Sequence, residues 1–129
     1  MNVIDVELRL TSPQWQQTGP SDGTAESLWM RCDTSCPDPT DPEVLASHPG
    51  RLTAIRVNDD EVILAQDRLR SWPLFWALEN GADGRRLIIS DDATAMRGAL
   101  SAPRLDPRAR REFLDAGFIS GTDTLLAGV

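Results

Sequence analysis

The side chains best suited to chemistry lie in one short turn, D-R-L-R-S-W-P, which contains Asp67, Arg68 and Arg70. Two guanidinium groups this close together can bind a carboxylate, because their planar donor forks match its two oxygens. The same three side chains can instead form salt bridges that hold a turn between two strands. The sequence therefore offers Asp67, Arg68 and Arg70 as a candidate site for a ligand or partner, with a purely structural role as the alternative.

Three other groups of polar residues have both a chemical and a structural interpretation. Asp91 and Asp92 can act as paired acids, or they can favour a helix start, where negative charge suits the helix dipole. His48 is the single histidine and has no acid or nucleophile that can be identified as its partner, which favours a surface position over a general base. The arginines near the end of the chain can face solvent or an acidic partner: Arg104, Arg108, Arg110 and Arg111.

The composition excludes several classes of function. All 13 basic residues are arginine, so a lysine Schiff base and a Walker lysine are excluded. The net charge is −7, so the chain has no excess of positive charge to bind a phosphate backbone. We therefore expect no nucleic-acid partner. No apolar run is long enough to span a membrane, and residues 1–10 lack the basic start of a secretory signal. We therefore expect a cytoplasmic protein with no membrane partner.

The two cysteines, Cys32 and Cys36, do not indicate a metal site. With one histidine in the chain, a four-ligand zinc site would need carboxylates as well. A reducing cytoplasm disfavours a disulfide, so we expect both cysteines to be small apolar residues at the end of a strand.

Strands are predicted in the first part of the chain. Strict alternation of apolar residues predicts a strand over residues 3–10, and residues 27–33 predict a second strand. Turn-forming residues predict loops over 11–26 and 34–50, with at most a short helical turn near Pro42–Ser47.

The candidate turn itself is predicted to join consecutive strands of one meander. Leu52–Val57 and Val62–Gln66 predict a hairpin, because the Asn and Asp residues between them favour a turn. Residues 74–78 predict the third strand. Residues 87–89 predict the fourth strand, which should be central because it has no polar alternation.

Two helices are predicted after the last strand. Ser90 is the expected N-cap of the first helix, and Asp106 is the expected N-cap of the second. Phe113 and Leu114 are expected to anchor the second helix in the core, and Gly117 is expected to end it.

Four segments, in order and at matching spacing, resemble the asparagine synthetase family over about residues 50–129. Members of that family have a hairpin, then an Arg-Asp or Asp-Arg turn, then Pro-Leu-Tyr or Pro-Leu-Phe. The R-S-W-P-L-F form of the turn is similar to divergent members that make natural products, including lasso-peptide cyclases. The matching segments are residues 50–76, 89–93, 105–119 and 124–129.

The resemblance implies that residues 1–129 form a single degenerate class II glutamine-amidotransferase-like domain. The implied fold is α+β, the αββα sandwich of N-terminal-nucleophile hydrolases with mostly antiparallel sheets. Residues from about 118 to 129 are then a connector toward a synthetase domain or partner. Glutamine hydrolysis in this family needs a cysteine after Met1, whose thiolate attacks the amide while its α-amine acts as base. Asn2 occupies that position, so we expect no catalytic residue and no glutaminase activity.

Family members continue into an ATP-dependent synthetase domain that opens with a Ser-Gly-Gly-x-Asp-Ser loop, and no such loop occurs in these 129 residues. ATP and magnesium are therefore expected in a synthetase partner, and no cofactor or metal is expected in this chain. We expect an accessory domain that supports amide or lactam formation in peptide or natural-product biosynthesis, with a homodimer left open. The alternatives are an N-terminal fragment of such a synthetase and an amino-acid-binding module.

Overall fold

The structure is a computed structural model, and it describes residues 4–18, 27–33, 37, 41–120 and 124–129. Over these residues the protein is α+β, with mostly antiparallel sheets and few helices, which confirms the predicted class. The strands are β1 Ile4–Arg9, β2 Gln16–Thr18, β3 Ser27–Cys32, β4 Leu52–Val57, β5 Val62–Gln66, β6 Phe75–Gly81 and β7 Gly84–Ser90. The helices are α1 Pro42–Ser47, α2 Ala93–Ala99 and α3 Pro107–Ala116. None of the helices in the described part is long and apolar enough to cross a membrane.

The chain divides into two compact units. The first unit contains Met1–Thr11 and Phe75–Val129, and the second contains Ser12–Leu74. The first unit has a three-stranded sheet in the order β1-β7-β6, and the second has a four-stranded sheet in the order β2-β3-β4-β5. Each unit has its own cluster of buried apolar residues.

The second unit is built around β4, which lies inside the four-stranded antiparallel sheet. The run from Leu52 to Ile55 is buried at four successive positions, so both faces of this strand are covered at its start. Leu45 of α1 packs with Leu52, Met30 and Ala54. The apolar cluster thus fixes α1 against the sheet.

The first unit is built around β7, the central strand of its sheet. β1 pairs with β7 in parallel, and β6 pairs with it antiparallel. Ile88, Ile89 and Ser90 are buried at successive positions, which confirms the prediction of a central strand covered on both faces. Met96 of α2 packs against Ile88 and Ala77 and closes this core.

The sequence predicts the β4–β5 hairpin with its observed bounds. Asn58 Oδ1 accepts the amides of Asp60 and Glu61, which is the expected turn chemistry. The four-strand meander, however, is wrong, because β6 pairs with β7 in the other sheet and does not pair with β5. The loop predicted over 11–26 also contains β2, which pairs with β3.

The start of α2 differs from the prediction by two residues. Ser90 is the last residue of β7 and not an N-cap, and its Oγ donates to the Arg9 carbonyl across 2.7 Å. Asp92 is the N-cap and accepts the Ala95 amide at 2.8 Å. Ser90 therefore belongs to strand β7, and Asp92 is the residue that caps α2.

Cys32 is disulfide-bonded, which contradicts the expectation of a reduced cysteine. That expectation depended on the cellular compartment, which the sequence does not show. Cys36, the second cysteine of the chain, lies outside the described residues.

α3 has the predicted ends. The Asp106 carboxylate accepts the amides of Arg108 and Ala109, and Gly117 ends the helix in the left-handed conformation with a φ of 80°. Residues after the helix return to its start, because Leu126 forms a bridge with Leu105.

The predicted anchors of α3 are wrong. Phe113 is 45% exposed and Leu114 is 69% exposed, whereas Ala109 is 1% exposed. Within the described residues, no Cα atom of α3 lies within 8 Å of a Cα atom in a strand or in another helix. Helical periodicity predicts that large apolar residues face the core, but α3 leaves its largest apolar side chains, Phe113 and Leu114, exposed to solvent.

Replacing Asp106 with alanine should weaken α3 by about 1 kcal/mol, because two amides of its first turn lose their acceptor. Amide hydrogen exchange over residues 107–116 should become faster. Asp115→Ala is the matched control, because Asp115 is exposed in the last turn of the same helix and is not needed for the cap. Equal acceleration in both variants would contradict the assigned cap.

Candidate functional site

Asp67 organises the turn that follows β5. Its carboxylate accepts the amides of Leu52 at 3.2 Å and of Leu69 at 3.2 Å, and it accepts the Ser71 hydroxyl at 2.9 Å. In the described part of the chain, neither Arg68 nor Arg70 takes part in an ion pair. The structural alternative, a turn held by salt bridges, is therefore wrong. Hydrogen bonds from backbone amides and from a hydroxyl satisfy the Asp67 carboxylate instead.

Asp67 is ionised at neutral pH. Burial acts to raise the pKa of its carboxyl, but the hydrogen bonds from Ser71, Leu52 and Leu69 outweigh burial and hold the pKa below its ordinary value. The charged carboxylate is thus part of the folded turn and stabilises it.

Arg68 and Arg70 differ in their positions. Arg68 lines a cleft in the second unit, and Arg70 is exposed and does not line it. Arg70 has a φ of 49°, a left-handed backbone that non-glycine residues seldom adopt. Its amide donates to the Asp67 carbonyl at 3.0 Å, so it closes the turn through its backbone. Of the three predicted residues, the structure brings Asp67 and Arg68 to one site.

The cleft has a volume of about 600 Å³ and lies between the end of α1, the start of β4 and the Asp67 turn. Leu45, Pro49 and Leu69 give it an apolar side. Its polar lining consists of Asp33, Ser47, His48, Arg51, Gln66, Asp67 and Arg68. A concave surface of this size with a few convergent polar groups is typical of a small-molecule site.

Arg51 is held in place at the edge of this cleft. Its Nε donates to Asp33 Oδ2 at 2.9 Å, and its guanidinium lies 4.8 Å from the centre of the Trp72 ring. The guanidinium of Arg31 lies 4.3 Å from the centre of the same ring. The hydrogen bond from Arg51 holds the pKa of Asp33 below its ordinary value, although burial opposes this. Arg51 is thus a fixed charge with a fixed counterion.

Two polar atoms in the cleft wall have unused hydrogen-bonding capacity. His48 Nε2 and Gln66 Nε2 are both buried, and neither has a hydrogen-bond partner within the described residues. His48 is half-buried in the cleft wall, and its preferred role as a surface residue over a general base stays a prediction. Buried polar atoms are usually paired, so these two are exceptions, and each exposes less than 1 Å².

The two aspartates considered as paired acids make separate structural bonds. Asp91 Oδ1 accepts the amide of Thr11 at 2.8 Å, whereas Asp92 caps α2. The geometry therefore favours capping and loop contacts over joint acid chemistry.

Arg86 forms the main charge cluster of the first unit. It donates to Glu7 at 3.1 Å, to Glu79 at 2.5 Å and to the Ala99 carbonyl at 2.9 Å. The hydrogen bond from Arg86 is the main cause that lowers the pKa of Glu79. These contacts tie all three strands of the sheet to the end of α2, so the cluster has a structural role.

In the described ranges, no group of three or more His, Cys, Asp or Glu residues is placed to hold a metal ion. Comparisons of the chain with protein-family models, with curated proteins and with solved structures find no match. Asn2, on which the expected loss of the nucleophile depends, lies outside the described residues.

Proposed function

We propose that this chain is a non-catalytic, glutamine-amidotransferase-like accessory domain that binds and supports an ATP-dependent synthetase forming amides or lactams in peptide or natural-product biosynthesis. Its fold would be the αββα sandwich of N-terminal-nucleophile hydrolases. The resemblance of residues 50–129 to the asparagine synthetase family supports this assignment, as does Asn2 in place of the nucleophilic cysteine. The α+β class with mostly antiparallel sheets is compatible with it.

The observation that carries the proposal is a set of exposed apolar side chains on and around α3. We call this set the α3 patch, and its exposed fractions are 56% for Leu105, 45% for Phe113, 69% for Leu114 and 63% for Phe118. Several large apolar residues exposed on one short segment are typical of an interaction surface. Each of the four side chains is at least 45% exposed, so a partner can reach them.

A shallow groove adjoins the α3 patch at Leu105. It has a volume of about 430 Å³ and is lined between α2 and the residues before α3, with Arg97, Pro103 and Leu126 among them. Backbone hydrogen bonds join the two segments that supply Leu105 and Leu126, since the Asp106 amide donates to the Leu125 carbonyl and the Ala127 amide donates to the Arg104 carbonyl, both at 2.9 Å. The groove is therefore already formed in the free chain and can receive an apolar side chain of a partner.

The charges beside the patch define the partner's surface. Arg108, Arg110 and Arg111 are exposed on α3. They form no ion pair with any described residue. A fitting partner has an apolar centre with acidic residues at its rim, because complementary rim charges speed association. We assign this partner as the synthetase, which in the resembled family is joined to a domain of this kind.

Leu114→Gln should weaken binding of the synthetase by about tenfold or more, because Leu114 is the most exposed side chain of the patch. The test uses the product of a neighbouring reading frame that contains a Ser-Gly-Gly-x-Asp-Ser loop, co-expressed with this chain and co-purified. Asp115→Ala is the control at the next residue of the helix, and it should leave binding unchanged.

Three results would contradict the proposal. The first is a synthetase that does not co-purify with the unmodified chain. The second is self-association in sedimentation that Leu114→Gln abolishes, which would assign the patch to a second copy. The third is glutaminase turnover by this chain, which would overturn its non-catalytic role.

A further inference from the structure

We propose that the open edge of strand β6 pairs with the same strand of a second copy of this chain, which joins two three-stranded sheets into one continuous sheet. β6 spans Phe75–Gly81, whereas the α3 patch spans residues 105–118. The inference does not rest on the docking of a synthetase, and either proposal can fail while the other holds.

β6 is an edge strand with one unpaired side. In the order β1-β7-β6 it pairs with β7 alone, and none of the other described strands lies beside it. Alternate residues of such a strand direct their backbone amide and carbonyl groups away from the sheet. The seven residues of β6 therefore offer a row of donors and acceptors that fits another extended chain.

The side chains of β6 do not protect this edge from pairing. Charged side chains commonly protect edge strands, and β1, at the opposite edge of the sheet, has a charge at every second position: Asp5, Glu7 and Arg9. The first four residues of β6 carry no charge. Among them, Trp76 is 55% exposed and Leu78 is 42% exposed. An uncharged edge with large exposed apolar side chains favours the addition of a strand.

The apolar pattern of β6 is complementary to itself. Antiparallel pairing about a two-fold axis at Ala77 places Trp76 opposite Leu78 of the second copy. Symmetry repeats this contact, so all four of these side chains gain a partner. Ala77 packs against Met96 in the core, so Trp76 and Leu78 lie on the other face of the sheet, where the contact can form.

The charge of β6 is also compatible with a second copy. Its one charged residue, Glu79, accepts from Arg86 on β7, so the carboxylate has a counterion within each chain. In the register centred on Ala77, Glu79 lies opposite Phe75 of the second copy. Like charges directly opposite each other destabilise paired strands, and this register keeps the two carboxylates apart. A second copy is therefore the partner that fits this edge.

The pairing should be weak and dependent on concentration. A standard interface buries about 800 Å² on each partner, and one short strand with two exposed apolar side chains supplies less. We therefore expect a dissociation constant on the order of 10 to 100 µM. The free chain is then a monomer at low micromolar concentration and a dimer when concentrated.

Sedimentation equilibrium of the full chain from about 5 µM to about 500 µM tests the proposal. The unmodified chain should pass from monomer to dimer over this range. Leu78→Lys should weaken dimerisation by about tenfold or more, because it places a charge in the middle of the paired edge. Ile4→Lys is the matched control and should leave dimerisation unchanged. Ile4 is 41% exposed on the same face of the sheet as Leu78, but on the opposite edge strand.

Amide hydrogen exchange of the unmodified chain provides a second readout that depends on no variant. Exchange over residues 75–81 should slow as the concentration rises, while exchange over β1 stays the same. A chain that remains a monomer at about 500 µM would overturn the proposal. Equal weakening by the two lysine variants would overturn it as well, because it would indicate contact through the sheet face. Loss of the dimer in Leu114→Gln would do the same, because it would assign self-association to the α3 patch.

Discussion

Replacing Ile88 with alanine is expected to lower the free energy of unfolding by about 2 to 5 kcal/mol. Ile88 is 0% exposed in the central strand β7 and packs with Ala77 and Met96. The change removes three carbons from a site with strands β1 and β6 on either side. Met96 of α2 packs against the same residue, so the cavity cannot easily close.

Urea unfolding at constant slope measures this loss. Leu78→Ala is the matched control, since Leu78 is 42% exposed on the neighbouring strand β6 and should lose about 1 kcal/mol. If the two variants lose the same free energy, β7 is not the centre of the core of the first unit.

Replacing Asp67 with alanine is expected to destabilise the second unit by about 1.5 to 2 kcal/mol. This value lies in the lower part of the range for hydrogen bonds to charged groups, because the carboxylate is only partly buried. The loss has a local cause. The amides of Leu52 and Leu69 and the Ser71 hydroxyl all lose their acceptor, and water can replace it only in part.

The effect of Asp67 should depend on pH in one direction. Its folded pKa lies below the ordinary value of 3.8, so the stability from its charge is present above pH 3.8 and is lost as the pH falls through the folded pKa. The difference in unfolding free energy between the unmodified chain and Asp67→Asn should therefore be full at pH 7 and shrink below pH 3.8. A difference that grows toward low pH would contradict the assigned role of the carboxylate.

Local features of the fold could be predicted from the sequence. The bounds of β4 and β5 follow from alternation and from the turn residues between them, and both are as observed. Asp106 and Gly117 act at the ends of α3 as predicted, because caps depend on side chains within one turn. These signals need no knowledge of distant contacts.

Non-local features could not be predicted. β6 follows β5 in the chain but pairs with β7, and β7 also pairs with β1 from the start of the chain. Strand order of this kind depends on packing between segments far apart in sequence. The exposure of Phe113 and Leu114 was missed for a related reason, since helical periodicity cannot distinguish a face toward the core from a face toward a partner.

The candidate site was predicted only in part. The sequence singled out Asp67, Arg68 and Arg70 because arginines in a turn suggest anion binding, and the structure places the first two at the cleft. Gln66 is the last residue of β5, directly before Asp67, and His48 follows α1, but nothing in the sequence joined either of them to the candidate site. The structure places both residues in the cleft wall, each with a buried nitrogen atom that has no partner within the described residues.

The most direct measurement of the proposed function is amide hydrogen exchange of this chain with and without the synthetase bound. Docking on the α3 patch predicts strong slowing over residues 105–118, where the large apolar side chains are exposed in the free chain. Exchange over β4 and β5 should stay the same, because these strands lie in the second unit. Slowing confined to the second unit, or no change over residues 105–118 in a complex that forms, would contradict the proposal that this chain works by presenting α3 to a synthetase.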